Sequence, residues 1–227
     1  MYVSALHAEW LKIRTLRSPF VALGALCLTT VAFSALAGQG ASDGDPLFAA
    51  FFGISFGQIA AVSFAATAMA AEFRDGALRT SLAAVPDRTR WFAAKVTAIA
   101  GPVLAVGLLT GAVTLLTGDG VGWGEGVRGA VGCGIYLTLM ALLAAGLTAV
   151  LRSGVATLGI VVPFLLIVSF VVGDMSGTAA DWFPDRAGQA VLHSEPDVDP
   201  WAGLLVTALW SAAALGVGGW RVRRRDA

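Results

Sequence analysis

The stretch AEFRDGALRTSLAAVPDRTRWFAAK, residues 71–95, separates two long apolar runs and holds five of the fifteen basic residues of the 227-residue chain. Over the whole chain only 13% of the residues are charged and 57% are hydrophobic. A soluble domain averages about 25% charged residues, so this chain lacks the polar side chains needed to cover a surface that faces water. We therefore expect a membrane protein in which residues 71–95 form a polar segment outside the lipid.

Six apolar runs are each about long enough to cross a bilayer as a helix, since about 20 apolar residues span the hydrocarbon core. Helices are expected because a chain crossing lipid must satisfy its own backbone hydrogen bonds. Pro102 and Pro163 are predicted to kink their helices without breaking them. The predicted fold is an all-α polytopic membrane protein with one transmembrane domain over residues 1–227. Its expected spans are about 19–37, 47–71, 91–117, 127–151, 155–172 and 201–220.

The charges predict the orientation, because cytoplasmic loops are enriched in Lys and Arg. Six spans with both termini in the cytoplasm place thirteen basic residues on one side, and only Arg128 and Arg186 fall outside this set. A competing interpretation is a signal-peptidase site at Ala35-Leu36-Ala37, which would leave the rest of the topology unchanged. The basic residues assigned to the cytoplasmic side are Lys12, Arg14, Arg17, Arg74, Arg79, Arg88, Arg90, Lys95, Arg152, Arg221, Arg223, Arg224 and Arg225.

Residues 1–18 are predicted to form an amphipathic helix in the cytoplasmic interface of the membrane. Val3, Leu6, Trp10 and Ile13 recur at steps of three and four, which gives one apolar stripe on a helix. Trp10 would lie at headgroup depth and the bases would face anionic lipid; a frayed lead-in to the first span is the alternative. The residues assigned to the interfacial helix are Glu9, Trp10, Lys12 and Arg17.

Residues 71–95 are predicted to contain a short cytosolic helix between the second and third spans. Leu78, Leu82 and Val85 give it one apolar stripe, and Asp87 or Thr89 is expected to cap the third span. The arginines around this stripe suit docking on another protein, or equally an anchor that touches only lipid headgroups.

The interior of the predicted spans holds neutral polar residues and no ionisable residue near the middle of a span, which disfavours an ion-coupled carrier. Gln58 needs hydrogen-bond partners in hydrocarbon and either lines a substrate path or bonds a neighbouring helix. Two GxxxG patterns, Gly53–Gly57 and Gly107–Gly111, permit close helix approach, either in a dimer or within the chain. The candidate path residues are Ser55, Gln58, Thr67, Thr110 and Thr114.

The predicted extracellular segment at 173–200 is the longest outer connection. Trp182 and Phe183 before Pro184 suggest a partly buried excursion into the interface, with an ordinary acidic loop as the alternative. His193 lies among acidic residues but has no second His or Cys nearby, so we expect no metal site.

The segment from Glu72 to Lys95 resembles the loop between the second and third membrane helices of ABC-2 type transporter permeases. In that family an acidic residue and a glycine precede a coupling helix, and a proline, basic residues and a lysine follow it. The stretch AEWLKIRTLRSP at residues 8–19 is similar to the interfacial helix of the family. The positions carrying the expected coupling role are Glu72, Arg74, Gly76, Leu78, Arg79, Leu82, Pro86 and Arg88.

The resemblance implies a permease subunit of an ATP-driven exporter in the plasma membrane of a bacterium, paired with a second permease and with a cytosolic ABC ATPase. It also implies short re-entrant helices that form an outer gate within 173–200. The chain has no Gly-Lys-Ser or Gly-Lys-Thr phosphate cradle, so ATP and Mg²⁺ are expected on the partner and no catalytic residue, cofactor or nucleic acid on this chain. Lipid, peptide and hydrophobic antibiotic all remain open as substrates. The alternatives are a non-transporting membrane anchor or immunity protein and, less favoured, an ion-coupled transporter.

Overall fold

A computed structural model of the protein describes residues 2–15, 17–38, 45–117, 121–168, 171, 181–196 and 199–224. All regular secondary structure within these ranges is helical, as the composition predicts. Short 3₁₀ turns follow α4 at Ala71–Phe73 and follow α9 at Ala190–Leu192, and a π-helical turn, Phe164–Val168, follows α8. The helices are α1 (Tyr2–Thr15), α2 (Arg17–Gly38), α3 (Pro46–Phe51), α4 (Ile54–Ala70), α5 (Ala77–Ala84), α6 (Arg88–Thr117), α7 (Trp123–Leu151), α8 (Gly154–Pro163), α9 (Pro184–Gln189) and α10 (Pro200–Arg224).

Within the described ranges, five helical segments are long and apolar enough to cross a membrane. They correspond to the first four predicted spans and the last one. The predicted span at 155–172 differs, because its described apolar helix covers only Gly154–Ile167. Residues 169–170 and 172–180 lie outside the described ranges. The five segments are Phe20–Ala37, Pro46–Phe73, Arg88–Thr117, Trp123–Leu151 and Pro200–Arg224.

The prolines act differently in two of these helices. Helix α6 runs through Pro102 without a break, and the predicted kink there stays a prediction. At Pro163 the α-helical pattern ends and the π-helical turn begins. Since proline lacks the backbone N–H of the helical ladder, a change of hydrogen-bond pattern beside it has a direct cause.

Helix α7 lies at the centre of the bundle and contacts α4, α6 and α10. Several of its glycines allow this, because a side chain at these positions would collide with a neighbouring helix or turn. A Cβ added at Gly132 would lie 2.5 Å from the Val191 side chain, and one at Gly146 would lie 2.5 Å from the backbone of Ala214. Small residues therefore determine how closely the bundle closes around α7.

Both GxxxG patterns are used within the chain. Gly53 and Gly57 lie against Thr30 of α2, and Gly111 lies against the backbone of Ala130 in α7. A Cβ added at Gly107 would lie 3.0 Å from the Cα of Gly134. Of the two interpretations left open by the sequence, the structure confirms packing between helices of the same chain.

The two ends of the bundle differ in their charged groups. At one end the Arg88 guanidinium donates to the carbonyl of Val222 at 3.1 Å, and the Arg152 guanidinium lies 5.8 Å from the centre of the Phe73 ring. The 71–90 elbow, the α7–α8 turn and the end of α10 thus meet at this end, which we call the polar end. The opposite end contains Asp45 and the 181–196 segment.

Candidate functional site at the polar end of the bundle

The elbow after α4 is built by a sharp backbone reversal. The 3₁₀ turn at Ala71–Phe73 is followed by Arg74 in an extended conformation. Asp75 and Gly76 then both take positive φ angles, of 50° and 72°. Glycine adopts this conformation without steric cost, so Gly76 allows α5 to start immediately and to fold back beneath the spans.

Four charged side chains meet inside this elbow, and we call them the charge cluster: Glu9, Lys12, Glu72 and Lys95. The Lys95 ammonium donates to Glu9 Oε2 and to Glu72 Oε1, each at 2.8 Å. The Lys12 ammonium lies 2.7 Å from Glu9 Oε1 and 3.1 Å from Glu72 Oε1. Each lysine therefore bridges both carboxylates, and the formal charges sum to zero.

Three of the four residues are nearly excluded from solvent: Glu72 and Lys95 are each 2% exposed and Glu9 is 3% exposed. Burying an ion is costly unless it is paired and hydrogen-bonded, and here each buried ion has charged partners on two sides. Lys12 is the outer member, with 41% of its side chain exposed. Burial lowers the pKa of Lys12, but the contacts with Glu9 and Glu72 outweigh this and raise the pKa above its ordinary value.

The charge cluster connects elements that are distant in sequence. Glu9 and Lys12 come from α1, Glu72 from the turn after α4, and Lys95 from the second turn of α6. Ser81 of α5 joins them, since its hydroxyl donates to Glu72 Oε2 at 3.0 Å and lies 3.0 Å from the Lys12 ammonium. Ser81 therefore connects α5 to the charge cluster, which in turn joins α1, the end of α4 and α6.

The two faces of α5 differ in exposure. Leu78 is buried, and Leu82 and Val85 are half-buried and pack against the core of the chain, so the chain itself covers most of the apolar stripe. It attaches α5 to the elbow. The outward face, which we call the outer face of α5, exposes Arg79, Thr80, Ala83 and Ala84.

The remaining elbow residues surround this outer face. Arg74 and Pro86 are exposed, whereas Arg88 bonds the end of α10. Asp87 caps α6, as predicted, by accepting from the backbone N–H groups of Thr89 and Arg90 at 3.0 and 3.2 Å. The elbow is thus fastened at both ends and exposes basic side chains between them.

The N-terminal helix also differs in detail from its prediction. The face turned toward the protein carries Ala5, Glu9 and Ile13, which are buried, whereas Val3 and Trp10 are exposed. Burial of Glu9 follows from its two lysine partners, which the apolar periodicity did not indicate. The side chain of Arg17 lies outside the described residues.

The five candidate path residues lie in three separate places within the chain. Ser55 and Gln58 line a cavity at the end opposite the charge cluster, and Thr67 is exposed elsewhere on α4. Thr110 and Thr114 are buried on the same helical face as Gly107 and Gly111, where α6 meets α7. Their predicted role in a path is therefore not supported by their positions.

Gln58 bonds a neighbouring helix, which is one of the two roles left open by the sequence; a role in a substrate path stays a prediction. Its side-chain oxygen accepts a hydrogen bond from the Tyr136 hydroxyl of α7, and that hydroxyl also accepts from Gln189 Nε2 at 3.2 Å. Gln58 thus ties α4 to α7 and α9, and it also forms part of the cavity wall.

The segment at 181–196 is folded onto the bundle. Helix α9 and the 3₁₀ turn after it bury Val191 and Leu192 completely, and Thr207 of α10 donates to the Pro184 carbonyl at 2.7 Å. These are short buried helices of the kind that the resemblance implies at this place. Their role as an outer gate stays a prediction.

His193 has partners other than a metal. Its Nδ1 lies 3.1 Å from Asp45 Oδ2, its ring stacks on Phe48 with centroids 4.4 Å apart, and its carbonyl accepts from Arg128 at 2.7 Å. Within the described ranges no group of three or more His, Cys, Asp and Glu residues is placed to hold a metal ion.

Sequence reasoning identified the four members of the charge cluster as separate features and missed the cluster itself. One signal was available: Glu9 lies on the apolar stripe of α1, where an acid requires a buried partner. Lys12 and Lys95 are the only lysines in the chain, and both were natural candidates for the buried partner of Glu9.

No protein-family model matches the chain, and no curated protein matches it significantly.

Proposed function

We propose that the chain is the permease subunit of an ATP-driven ABC-2 type exporter. In this proposal it crosses the plasma membrane of a bacterium six times, with both termini in the cytoplasm. It pairs with a second permease, and a separate cytosolic ATPase supplies ATP hydrolysis. The substrate is a hydrophobic, lipid-like, peptide or antibiotic molecule.

The observation that carries the proposal is the charge cluster beneath the spans. Pulling Glu72 away from Lys95 would take one of its two charged partners from each of these buried ions, and loss of a partner from a buried ion pair costs up to about 3–5 kcal/mol. We therefore expect α1, α5 and the N-terminal end of α6 to move as one unit. Such a coupled unit suits the transfer of motion from a cytosolic ATPase to the membrane helices: closure of the ATPase dimer would displace α5, and the spans of two permeases would open an outward path.

The outer face of α5 supports an ATPase as the partner at this position. Its side chains at Thr80, Ala83 and Ala84 are small, so another protein can approach the helix closely, and Arg74 and Arg79 beside them supply positive charge. Leu78 and Leu82 contact the chain itself, so a substitution there would test stability rather than docking.

The test is affinity purification in mild detergent from the native host, with an ATPase assay on the eluted protein. Arg79→Glu and Ala83→Arg alter the outer face of α5, and Glu125→Arg is the control, an equally large charge change at an exposed position on the first turn of α7. We expect an ATPase to co-elute with the wild type and the control and to be lost from the two α5 variants.

Absence of any nucleotide-hydrolysing partner from the wild-type eluate would overturn the proposal. The elbow would then be a charged anchor. Co-elution that persists in both α5 variants would overturn the assignment of the docking surface.

A further inference from the structure

A cavity of about 600 Å³ opens at the end of the bundle opposite the charge cluster. It lies between the α3–α4 segment and the folded 181–196 segment, and its wall includes Ser55 and Gln58. No role for this cavity follows from the coupling argument. Its lining combines aromatic rings on one side and carboxylates on the other.

The aromatic side is formed by Phe48, Phe52 and Phe56, which recur every four residues and all line the cavity. The rings of Phe48 and Phe52 meet edge to face with centroids 6.0 Å apart, and those of Phe52 and Phe56 lie at the same distance. This wall offers apolar contact, and the negative faces of aromatic rings attract cations. One face of Phe48 stacks on His193 and one face of Phe56 stacks on Phe33, which leaves Phe52 as the ring with no such stacking partner among the described contacts.

The opposite side is acidic. Asp181, Asp185 and Glu195 line the cavity, whereas Arg186 is the only Lys or Arg among its described lining residues. His193 also lines it, but its ring is held between Asp45 and Phe48. With a neutral imidazole the described charged side chains of the lining sum to −2, and the low-dielectric aromatic wall weakens the screening of that charge.

The described lining also includes buried polar side chains. Gln58 is 3% exposed, and its amide accepts from Tyr136, whose hydroxyl accepts from Gln189. Asp185 is the most buried carboxylate of the described lining, at 4% exposed. Glu195 is exposed and Asp181 is half-buried. A ligand would therefore keep its positive charge near the exposed carboxylates and place its apolar body against the phenylalanine wall.

We infer that this cavity binds a lipophilic cation, a small molecule with one positive charge on an aromatic or aliphatic body. The inference rests on the proposed function, because it names the class of substrate that the exporter would carry. The aromatic wall requires an apolar body, and the excess of carboxylates requires a positive charge. A neutral lipid satisfies only the first requirement, and an anionic molecule opposes the second.

The test uses two probe ions of nearly the same shape and opposite charge, tetraphenylphosphonium and tetraphenylborate. Binding to the purified chain in nanodiscs, without any ATPase, is measured by isothermal titration, and the heat of partition into empty nanodiscs is subtracted. We expect saturable binding of the cation and none of the anion. Tetraphenylborate that binds as tightly as tetraphenylphosphonium, or a cation without saturable binding, overturns the inference.

Two sets of variants locate the binding. Phe52→Ala removes a partly exposed ring of the wall, and the double variant Asp181→Asn with Glu195→Gln removes two carboxylates. Each is expected to weaken cation binding by about tenfold or more, which corresponds to about 1.4 kcal/mol. Asp181→Glu with Glu195→Asp keeps the charges and is expected to retain binding. Unchanged affinity in the first two variants, with unfolding temperatures like the wild type, would place the binding elsewhere and overturn the inference.

Because the titration contains no partner, its failure is distinct from failure of the proposed function. A chain that retains a co-eluting ATPase but binds no cation refutes the substrate class alone. A chain that binds the cation but has no ATPase partner supports the cavity assignment and refutes the exporter.

Discussion

Lys95 is the residue on which the charge cluster depends most, because its ammonium contacts both carboxylates and is nearly excluded from solvent. Lys12 makes similar contacts from a position open to water. The two lysine ammonium groups thus have the same carboxylate partners but different exposure to water. Comparing them separates the effect of burial on stability from the effect of ion pairing.

Lys95→Met is expected to lower the free energy of unfolding by about 3–5 kcal/mol, because it leaves two buried carboxylates with one lysine. Lys12→Met is expected to cost about 1 kcal/mol, since water screens an exposed pair. Denaturant titration in mild detergent measures both. A cost for Lys12→Met equal to or greater than that for Lys95→Met would contradict the described geometry.

Removing one charge of each sign gives a second prediction about the charge cluster. Lys95→Met combined with Glu72→Gln leaves Glu9 paired with Lys12 at 2.7 Å, so the net charge of the cluster returns to zero. We expect the double variant to be more stable than Lys95→Met alone. The same titration checks this, and a double variant less stable than the single one would show that the two residues are not coupled in this way.

Asp45 provides a test by pH at the opposite end. Burial raises the pKa of its carboxyl, but hydrogen bonds from the Ser194 amide and hydroxyl and from the Phe48 amide, together with the contact with His193, outweigh this and hold the pKa below its ordinary value of about 3.9. A carboxyl with a lowered pKa stabilises the folded state above the ordinary value, and this stabilisation is lost as the pH falls through the lowered pKa.

Asp45→Asn is therefore expected to unfold at a lower temperature than the wild type at pH 7. The gap should close as the pH falls below about 3.9. Thermal unfolding in detergent over this range is the measurement. A gap that is constant with pH would mean that the charge of Asp45 contributes nothing to its contacts with Ser194 and His193.

At the scale of the helices, two glycines of α6 allow the effect of close packing on stability to be measured apart from the effect of helix propensity. A Cβ at Gly111 would meet the carbonyl of Ala130, whereas one at Gly101 meets nothing within 4 Å. Gly111→Ala is expected to destabilise the protein by about 1–3 kcal/mol through overpacking. The control, Gly101→Ala in the same helix, is expected to be neutral or stabilising by up to about 1 kcal/mol. Denaturant titration distinguishes them, and equal effects would refute close contact between α6 and α7.

The apolar runs predicted the long helices, because length and hydropathy alone decide whether a segment suits lipid. They did not indicate two local changes, one within the second span and one after Pro163. Gly53 lies against the backbone of α2, and α3 and α4 are separate helices on either side of it. At Pro163 the missing N–H accompanies the change to a π-helical turn. Hydrophobic periodicity predicts neither the contact of Gly53 with α2 nor the change of helical pattern after Pro163.

The site was harder to predict than the helices, because it depends on which faces meet. The stripe of Leu78 and Leu82 was correctly identified, but an apolar stripe does not say whether it is covered by the same chain or by another protein. Here the chain covers it itself. Likewise, the spacing of Glu9, Glu72 and Lys95 in sequence carries no information on their distances, which follow only from the packing of α1 against α6.

At the scale of the whole molecule, the net charge of zero conceals two ends with different chemistry. One end holds the charge cluster and the basic elbow, and the other holds a cavity with aromatic and acidic walls. This separation fits a protein that meets a cytosolic partner at one side of a membrane and a ligand toward the other. The proposed exporter function requires that cytosolic partner.

The most direct measurement is photocrosslinking in intact cells of the native host. A photoreactive amino acid is placed at position 79 on the outer face of α5 and, as a control, at position 125 on α7. We predict a crosslink from position 79 to a nucleotide-binding ATPase and no crosslink from position 125 to that ATPase. A position 79 that reaches no protein, or that reaches the same protein as position 125, would contradict it.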